Sequence, residues 1–166
     1  MPKGIEIERK FLIAMPSAEW LLAEGAACDA ITQTYLLSEE GVTARVRRRE
    51  GAEGVEYTHT EKRRLTDLAA KEDERRIGAE EYEALLRRAD PALSPITKVR
   101  YSLPYGGRLL EIDVYPFWQR TAVLEVELPS EEAPLTLPPA LCVLAEVTAD
   151  KRYKNVSLAA SVPPEP

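Results

Sequence analysis

The feature that most constrains this chain is an alternation of period two in which the charged side chains of one face carry like signs. Residues 5–13 read as an extended segment with Ile5, Ile7, Arg9 and Phe11 on one face and Glu6, Glu8 and Lys10 on the other. The pairing recurs along the chain, with Arg45 and Arg47, Glu72 and Glu74, Lys98 and Arg100, Glu111 and Asp113, and Glu125 and Glu127 each two residues apart. A sheet face that only meets water carries Thr, Ser, Lys and Glu mixed, because neighbouring like charges repel unless something compensates them. The opposite faces, with Ile7, Phe11, Val46, Val99, Tyr101, Ile112, Val114, Val126 and Leu128, are what a core uses. An antiparallel sheet curled until its charged faces look at one another satisfies both demands, as a barrel with acids and bases in its lumen and helices over its apolar exterior. Clustered bases suit a polyanion such as a phosphate chain, and carboxylates beside them suit Mg²⁺ or Mn²⁺, which prefer oxygen ligands.

Length and charge narrow the class. The 166 residues fit one domain, placed at 1–160, with a disordered tail at 161–166. A net charge of −6 and a pI near 5.0 argue against binding nucleic-acid duplexes, for which no excess basic field is available. Cys28 and Cys142 stand far apart and outside any CxxC or Cys/His cluster, so neither a disulfide framework nor a zinc site is signalled. With no apolar signal core and no run long enough to span a bilayer, the chain reads as soluble and cytoplasmic, away from membranes, and as a monomer or homodimer.

Segment by segment, Ser17 caps a short helix that Gly25 stops, and strands follow at 30–37, 42–49 and 55–62, the last two joined as a hairpin through Gly51–Gly54. Residues 63–70 read as a mobile link, 72–77 as a strand, and 79–89 as a helix presenting Tyr82, Leu85 and Leu86. Strands at 96–103 and 108–115 share a Gly106-Gly107 turn, and another lies at 122–128. After a proline-rich stretch, 141–145 reads as a short helix. His59, on the face with Tyr57 and Glu61 opposite Lys62, is expected outside the lumen, and Arg48, Arg63, Arg64, Arg75 and Arg76 as solvated charge.

Glu6-x-Glu8-x-Lys10 near the N-terminus, followed in order by Gln33-Thr34-Tyr35-Leu36, Arg45-Val46-Arg47, Thr60-Glu61-Lys62, Lys98-Val99-Arg100-Tyr101, Glu111-Ile112-Asp113-Val114, Glu125-Val126-Glu127 and the run from Glu146 to Asn155, resembles the CYTH family, also called triphosphate tunnel metalloenzymes. The resemblance covers roughly residues 4–158. It implies an α+β protein built on an eight-stranded antiparallel barrel that holds a triphosphate end and uses Mg²⁺ or Mn²⁺ to hydrolyse or rearrange it. Carried over by motif, it makes Glu6, Glu8 and Glu127, with Glu125 beside them, the metal ligands. Lys10, Arg45, Arg47, Lys62, Lys98, Arg100 and Arg152 become phosphate ligands. Glu72, Glu74, Glu111 and Asp113 are supporting acids, Tyr35 assists near Lys10, and Tyr153 and Asn155 anchor the C-terminal segment. Two stretches depart from the family pattern: Ala70-Lys71 stands where an arginine usually precedes the acidic segment, and Pro116–Arg120 replaces a glycine-containing link.

The expected activity is metal-dependent hydrolysis of short linear phosphates, inorganic triphosphate first, by a water activated at the metal. Nucleoside or thiamine triphosphate hydrolysis, class IV adenylate cyclisation and non-catalytic polyphosphate or nucleotide binding are the alternatives the same lumen allows.

Overall fold

The computed structural model describes residues 4–166, so residues 1–3 of the expected domain lie outside it. Nine strands form one antiparallel sheet: β1 (Ile5–Ala14), β2 (Ala27–Leu36), β3 (Val42–Gly51), β4 (Gly54–Arg64), β5 (Ala69–Ile77), β6 (Ile96–Tyr105), β7 (Arg108–Val114), β8 (Thr121–Glu127) and β9 (Val143–Glu146). Their order is β5-β4-β3-β2-β6-β7-β8-β1-β9, and a further pairing of β1 with β5 closes the first eight into a barrel. That closing ladder is short, joining Ile5, Glu6 and Ile7 to Lys71, Ala70 and Ala69. Two turns follow directly from glycine: Gly54, at φ 115°, ends the β3–β4 hairpin, and Gly106 and Gly107, at φ 57° and 77°, make the tight turn between β6 and β7.

Three apolar clusters fix the barrel's surroundings. Helix α1 (Ala18–Ala23), capped by Ser17, inserts Leu21 among Phe11, Ile13, Ile112, Leu124 and Val126 on the outer face, and Leu141 packs there too. Helix α2 (Ala79–Leu86) covers Leu36, Ala44 and Val46 with Tyr82. Helix α3 (Asn155–Ala160) does something else. Its Leu158 and Ala159 pack with Leu12, Tyr35, Ile96, Tyr115 and Val123, which share strand faces with the charged lumen residues, and with Trp118, Val147 and Tyr153. One end of the lumen is therefore stoppered by apolar side chains, and the charged positions form a cup above them. A single side chain fastens the stopper: Asn155 Oδ1 accepts from the Tyr115 hydroxyl at 2.5 Å and from the Lys98 ammonium at 3.3 Å.

Several local expectations need correction. Residues 63–70 are not a loose link: Arg63 and Arg64 finish β4, Ala69 and Ala70 begin β5 in buried positions, and Thr66 Oγ1 ties the turn by accepting from the Leu68 and Ala69 amides. The helix expected at 141–145 is strand β9, because β5 leaves the edge of β1 after Ile7 and the main chain at Phe11–Ile13 needs another partner. Helix α2 stops at Leu86, since Arg88 and Ala89 are drawn into pairing with Leu37 and Leu36 at the end of β2. Residues 161–166 lie beside the 118–121 segment, where Trp118 Nε1 donates to Pro163 O at 3.3 Å and the Gln119 amide to Glu165 at 3.1 Å. No helix among the described residues is long and apolar enough to cross a membrane.

Asn155→Ala removes the shared acceptor from two buried donors and is expected to cost about 1–3 kcal/mol. A urea titration should show a lower midpoint at an unchanged slope.

Candidate active site

The open part of the lumen is a cavity of about 860 Å³. Nine basic side chains and seven carboxylates line it, an excess of base inside a chain whose net charge is −6. Alternation produces this, because every second residue of each strand must point inward.

The acidic side comes from β1 and β8, where Glu8 lies opposite Glu127 and Lys10 opposite Glu125. Glu6 and Glu8, two residues apart on β1, face the same cavity, and each carboxyl acts on the other. Burial, then the Glu125 charge and the Glu6 carboxyl, hold Glu8 well above the usual carboxylate range. Burial works on Glu6 too, yet the Glu8 carboxyl and the Lys62 ammonium leave it below that range. Burial, Glu6 and Glu111 push Glu127 up. Glu125 differs: burial opposes its charge, but Lys10, Lys98 and Arg100 hold it well below its ordinary value. Lys10 Nζ is 3.2 Å from Glu125 Oε1 without the alignment of a hydrogen bond, and it donates to Tyr153 O at 3.1 Å.

These donors are all oxygens, the ligand type a hard divalent cation prefers. Among the described residues no three Asp, Glu, His or Cys side chains are already gathered at metal-binding spacing.

The basic side has cations without anions. Arg45 and Arg47 form no ion pair among the described residues; Arg47 donates twice to Gln33 Oε1, at 2.8 and 3.2 Å, and Arg45 Nε is buried with no acceptor. Burial, then Arg45 and Arg100, pull Arg47 down to about 9. Lys62 stands between Glu6, at 3.4 Å, and Glu72, at 3.5 Å, while Glu74 accepts from Thr60 at 2.8 Å. Tyr35 lies on the cavity wall, its hydroxyl accepting from Gln33 Nε2 at 3.2 Å, and its phenol is among the groups acting on Lys10.

Three residues expected at the site are elsewhere. Lys98 and Asp113 lie below the cavity floor with no side-chain exposure, 2.7 Å apart, and Arg100, which does reach the cavity, donates to Asp113 at 2.7 and 3.0 Å and to Glu111 at 2.9 Å. Burial resists the Asp113 charge, but Lys98 and Arg100 hold it at about 2; burial drags Lys98 down to about 7 because it shares that one carboxylate with Arg100. Arg152 points away, exposed and bound to Asp150 at 2.7 Å.

Conversely, Arg49, Thr60, Arg64, Lys151 and Lys154 line the cavity without having been assigned to it. Arg49 and Arg64 could have been found by continuing the alternation from Arg47 and Lys62. Arg49 is engaged by Asp29 at 2.6 Å, beside Gly51, where a Cβ would collide with the Asp29 carboxylate. Lys151 and Lys154 sit outside the strands, where no periodicity marks them. His59 lies outside the cavity, in a surface groove with Leu36 and Glu61.

Asp113→Asn leaves two buried cations without their shared carboxylate and is expected to cost about 3–5 kcal/mol at neutral pH. Because Asp113 is held at about 2, its contribution is present above roughly pH 4 and is lost as pH falls through its folded value. Denaturation midpoints of variant and wild type should therefore converge between roughly pH 4 and pH 2.

No protein-family model matches the chain. An inorganic triphosphatase from Nitrosomonas europaea is 36% identical over 163 residues, spanning 95% of this chain and 99% of that protein. A crystal structure of an inorganic triphosphatase superposes with a TM-score of 0.59 at 32% identity, covering 96% of this chain and 97% of the other. The PH1819 protein from Pyrococcus horikoshii OT3 shares the fold at 14% identity, with a TM-score of 0.55 over 76% of this chain and 80% of its own.

Proposed function

The chain belongs to the family of the Nitrosomonas europaea inorganic triphosphatase, and from that premise we propose that it is a hydrolase of inorganic triphosphate, and within that family a triphosphate tunnel metalloenzyme. The observation that carries the reading is the pair of inward arginines, Arg45 and Arg47, which have no acidic partners among the described residues and share one cavity with the carboxylates of Glu6, Glu8 and Glu127. Unpaired cations at this burial are costly unless an anion completes them, and a triphosphate chain supplies several.

Phosphoryl transfer needs little covalent chemistry from protein; it needs the chain held in line and its oxygens neutralised. Arg45, Arg47 and Arg100 bind phosphoryl oxygens, with Gln33 fixing the Arg47 fork and Asp113 and Glu111 fixing that of Arg100. Lys62 is oriented by Glu6 and Glu72, and Lys10, steered by Glu125, meets the phosphate being transferred with Tyr35 beside it. Glu6, Glu8 and Glu127 would hold Mg²⁺ or Mn²⁺, which when bound supplies Lewis-acid polarisation of phosphoryl oxygens and a water of lowered pKa. Glu125, spent on Lys10, serves as an orienting group for that ammonium. Lys98 and Arg152 act structurally, the first beneath the floor and the second on the exterior.

The test is phosphate release from inorganic triphosphate, ATP and thiamine triphosphate in parallel, each with Mg²⁺, Mn²⁺ or chelator, with cyclic AMP assayed in the ATP samples. Metal-dependent release fastest with inorganic triphosphate is expected. Binding without turnover of any substrate would make the cavity a sensor, and cyclic AMP would make it a cyclase. Glu6→Ala should lower kcat by about two to three orders of magnitude, and unchanged kinetics would remove Glu6 from the machinery. Arg45→Ala should raise KM by about ten- to a hundredfold with a smaller effect on kcat.

A further inference from the structure

Gln33 stands behind the cavity wall with both ends of its amide engaged. It is fully buried and does not line the cavity; it faces Arg47 across the ladder of β2 and β3, with Tyr35 two residues farther along the same face of β2. Arg47 Nη2 and Nε donate to Gln33 Oε1 at 2.8 and 3.2 Å, and Gln33 Nε2 donates to the Tyr35 hydroxyl at 3.2 Å. Arg47 and Tyr35 both line the cavity. One amide therefore joins two groups that border the cavity without bordering it itself.

The chemistry of these three groups leaves one arrangement. A guanidinium donates and cannot accept, so the end of the amide that meets Arg47 has to be its oxygen. The nitrogen is then the end that meets Tyr35, and because an amide N–H cannot accept, the phenol oxygen has to receive it. The Tyr35 proton is thereby kept off the amide, and among the described residues no acceptor engages it. A hydroxyl in that position has its proton to give to whatever occupies the cavity. The amide is also neutral. Arg100 is held by the Asp113 and Glu111 carboxylates at 2.7 to 3.0 Å, whereas Arg47 is oriented through two donors with its charge left uncompensated.

Resting on the reading of the cavity as a triphosphate site, we infer that Gln33 is a positioning residue for the reaction, whose one amide turns the Tyr35 hydroxyl proton toward a substrate oxygen and aims the Arg47 fork without neutralising it. A carboxylate of the same shape does neither. It accepts the Tyr35 proton for itself, since it has no N–H to offer, and it pairs with Arg47 in place of the anion.

The experiment is a double-mutant cycle on triphosphate hydrolysis, in the metal that serves the wild type best, with Gln33→Glu, Tyr35→Phe and the double variant. Gln33→Glu is expected to raise KM about tenfold, through Arg47, and to lower kcat by about ten- to a hundredfold, the worth of one hydrogen bond to a charged group. Tyr35→Phe alone should lower kcat by a similar factor. In its background Gln33→Glu should change kcat by less than about twofold while the rise in KM persists. A Gln33 that only supports the fold would lower kcat equally in both backgrounds; that result, or an unchanged kcat in Gln33→Glu or in Tyr35→Phe, overturns the inference. Gln33→Met keeps the length without the charge and replaces the glutamate if that variant does not fold; its kcat loss must likewise vanish beside Tyr35→Phe. A wild type that hydrolyses no triphosphate overturns the functional reading itself, whereas an active wild type with an additive cycle overturns Gln33 alone.

Discussion

Everything in this protein depends on one strand serving two neighbours on one edge. A closed barrel removes sheet edges by pairing the first strand with the last, and here β1 achieves closure with only three residue pairs to β5 before handing the same edge to β9. Closure brings Glu6 and Glu8 opposite the arginines of β3, and the handover admits the chain after β9 to the lumen. That chain supplies the stopper, the acceptor for Lys10 at Tyr153 and the bridge through Asn155. The charged cavity and the C-terminal segment thus share one origin in the edge of β1.

Charge is arranged at two scales. The chain as a whole is acidic, whereas its cavity carries more bases than acids. An anionic substrate feels the exterior at a distance only weakly, because salt screens beyond about 8–10 Å, and meets the concentrated field of the cavity at close range. Within the cavity the bases with acidic partners are oriented and those without partners are receptive. Arg100 belongs to the first group and Arg45 and Arg47 to the second, and this division is a product of strand register.

Register also explains what the sequence disclosed. Alternation placed Glu6, Glu8, Lys10, Arg45, Arg47, Lys62, Arg100 and Glu127 correctly on the inner face, since parity along a strand decides that face. Parity says nothing of depth. Lys98 and Arg100 are indistinguishable in pattern, yet the first lies beneath the floor and the second on the wall, according to how far each stands from the α3 stopper. Strand β9 was illegible for a different reason: its extended form is imposed by an edge far away in the sequence, against a local pattern that reads as helix. Lys154 has no periodic context at all, and only the folded chain brings it to the cavity.

The stopper of Leu12, Tyr35, Ile96, Tyr115 and Val123 under α3 gives the lumen a blind end. A linear polymer cannot be threaded through a blind hole; it can only be probed tip first. In a barrel closed in this way the depth of the cup limits how much of a linear chain can enter, measured from its free terminus. Only a free end can reach the floor.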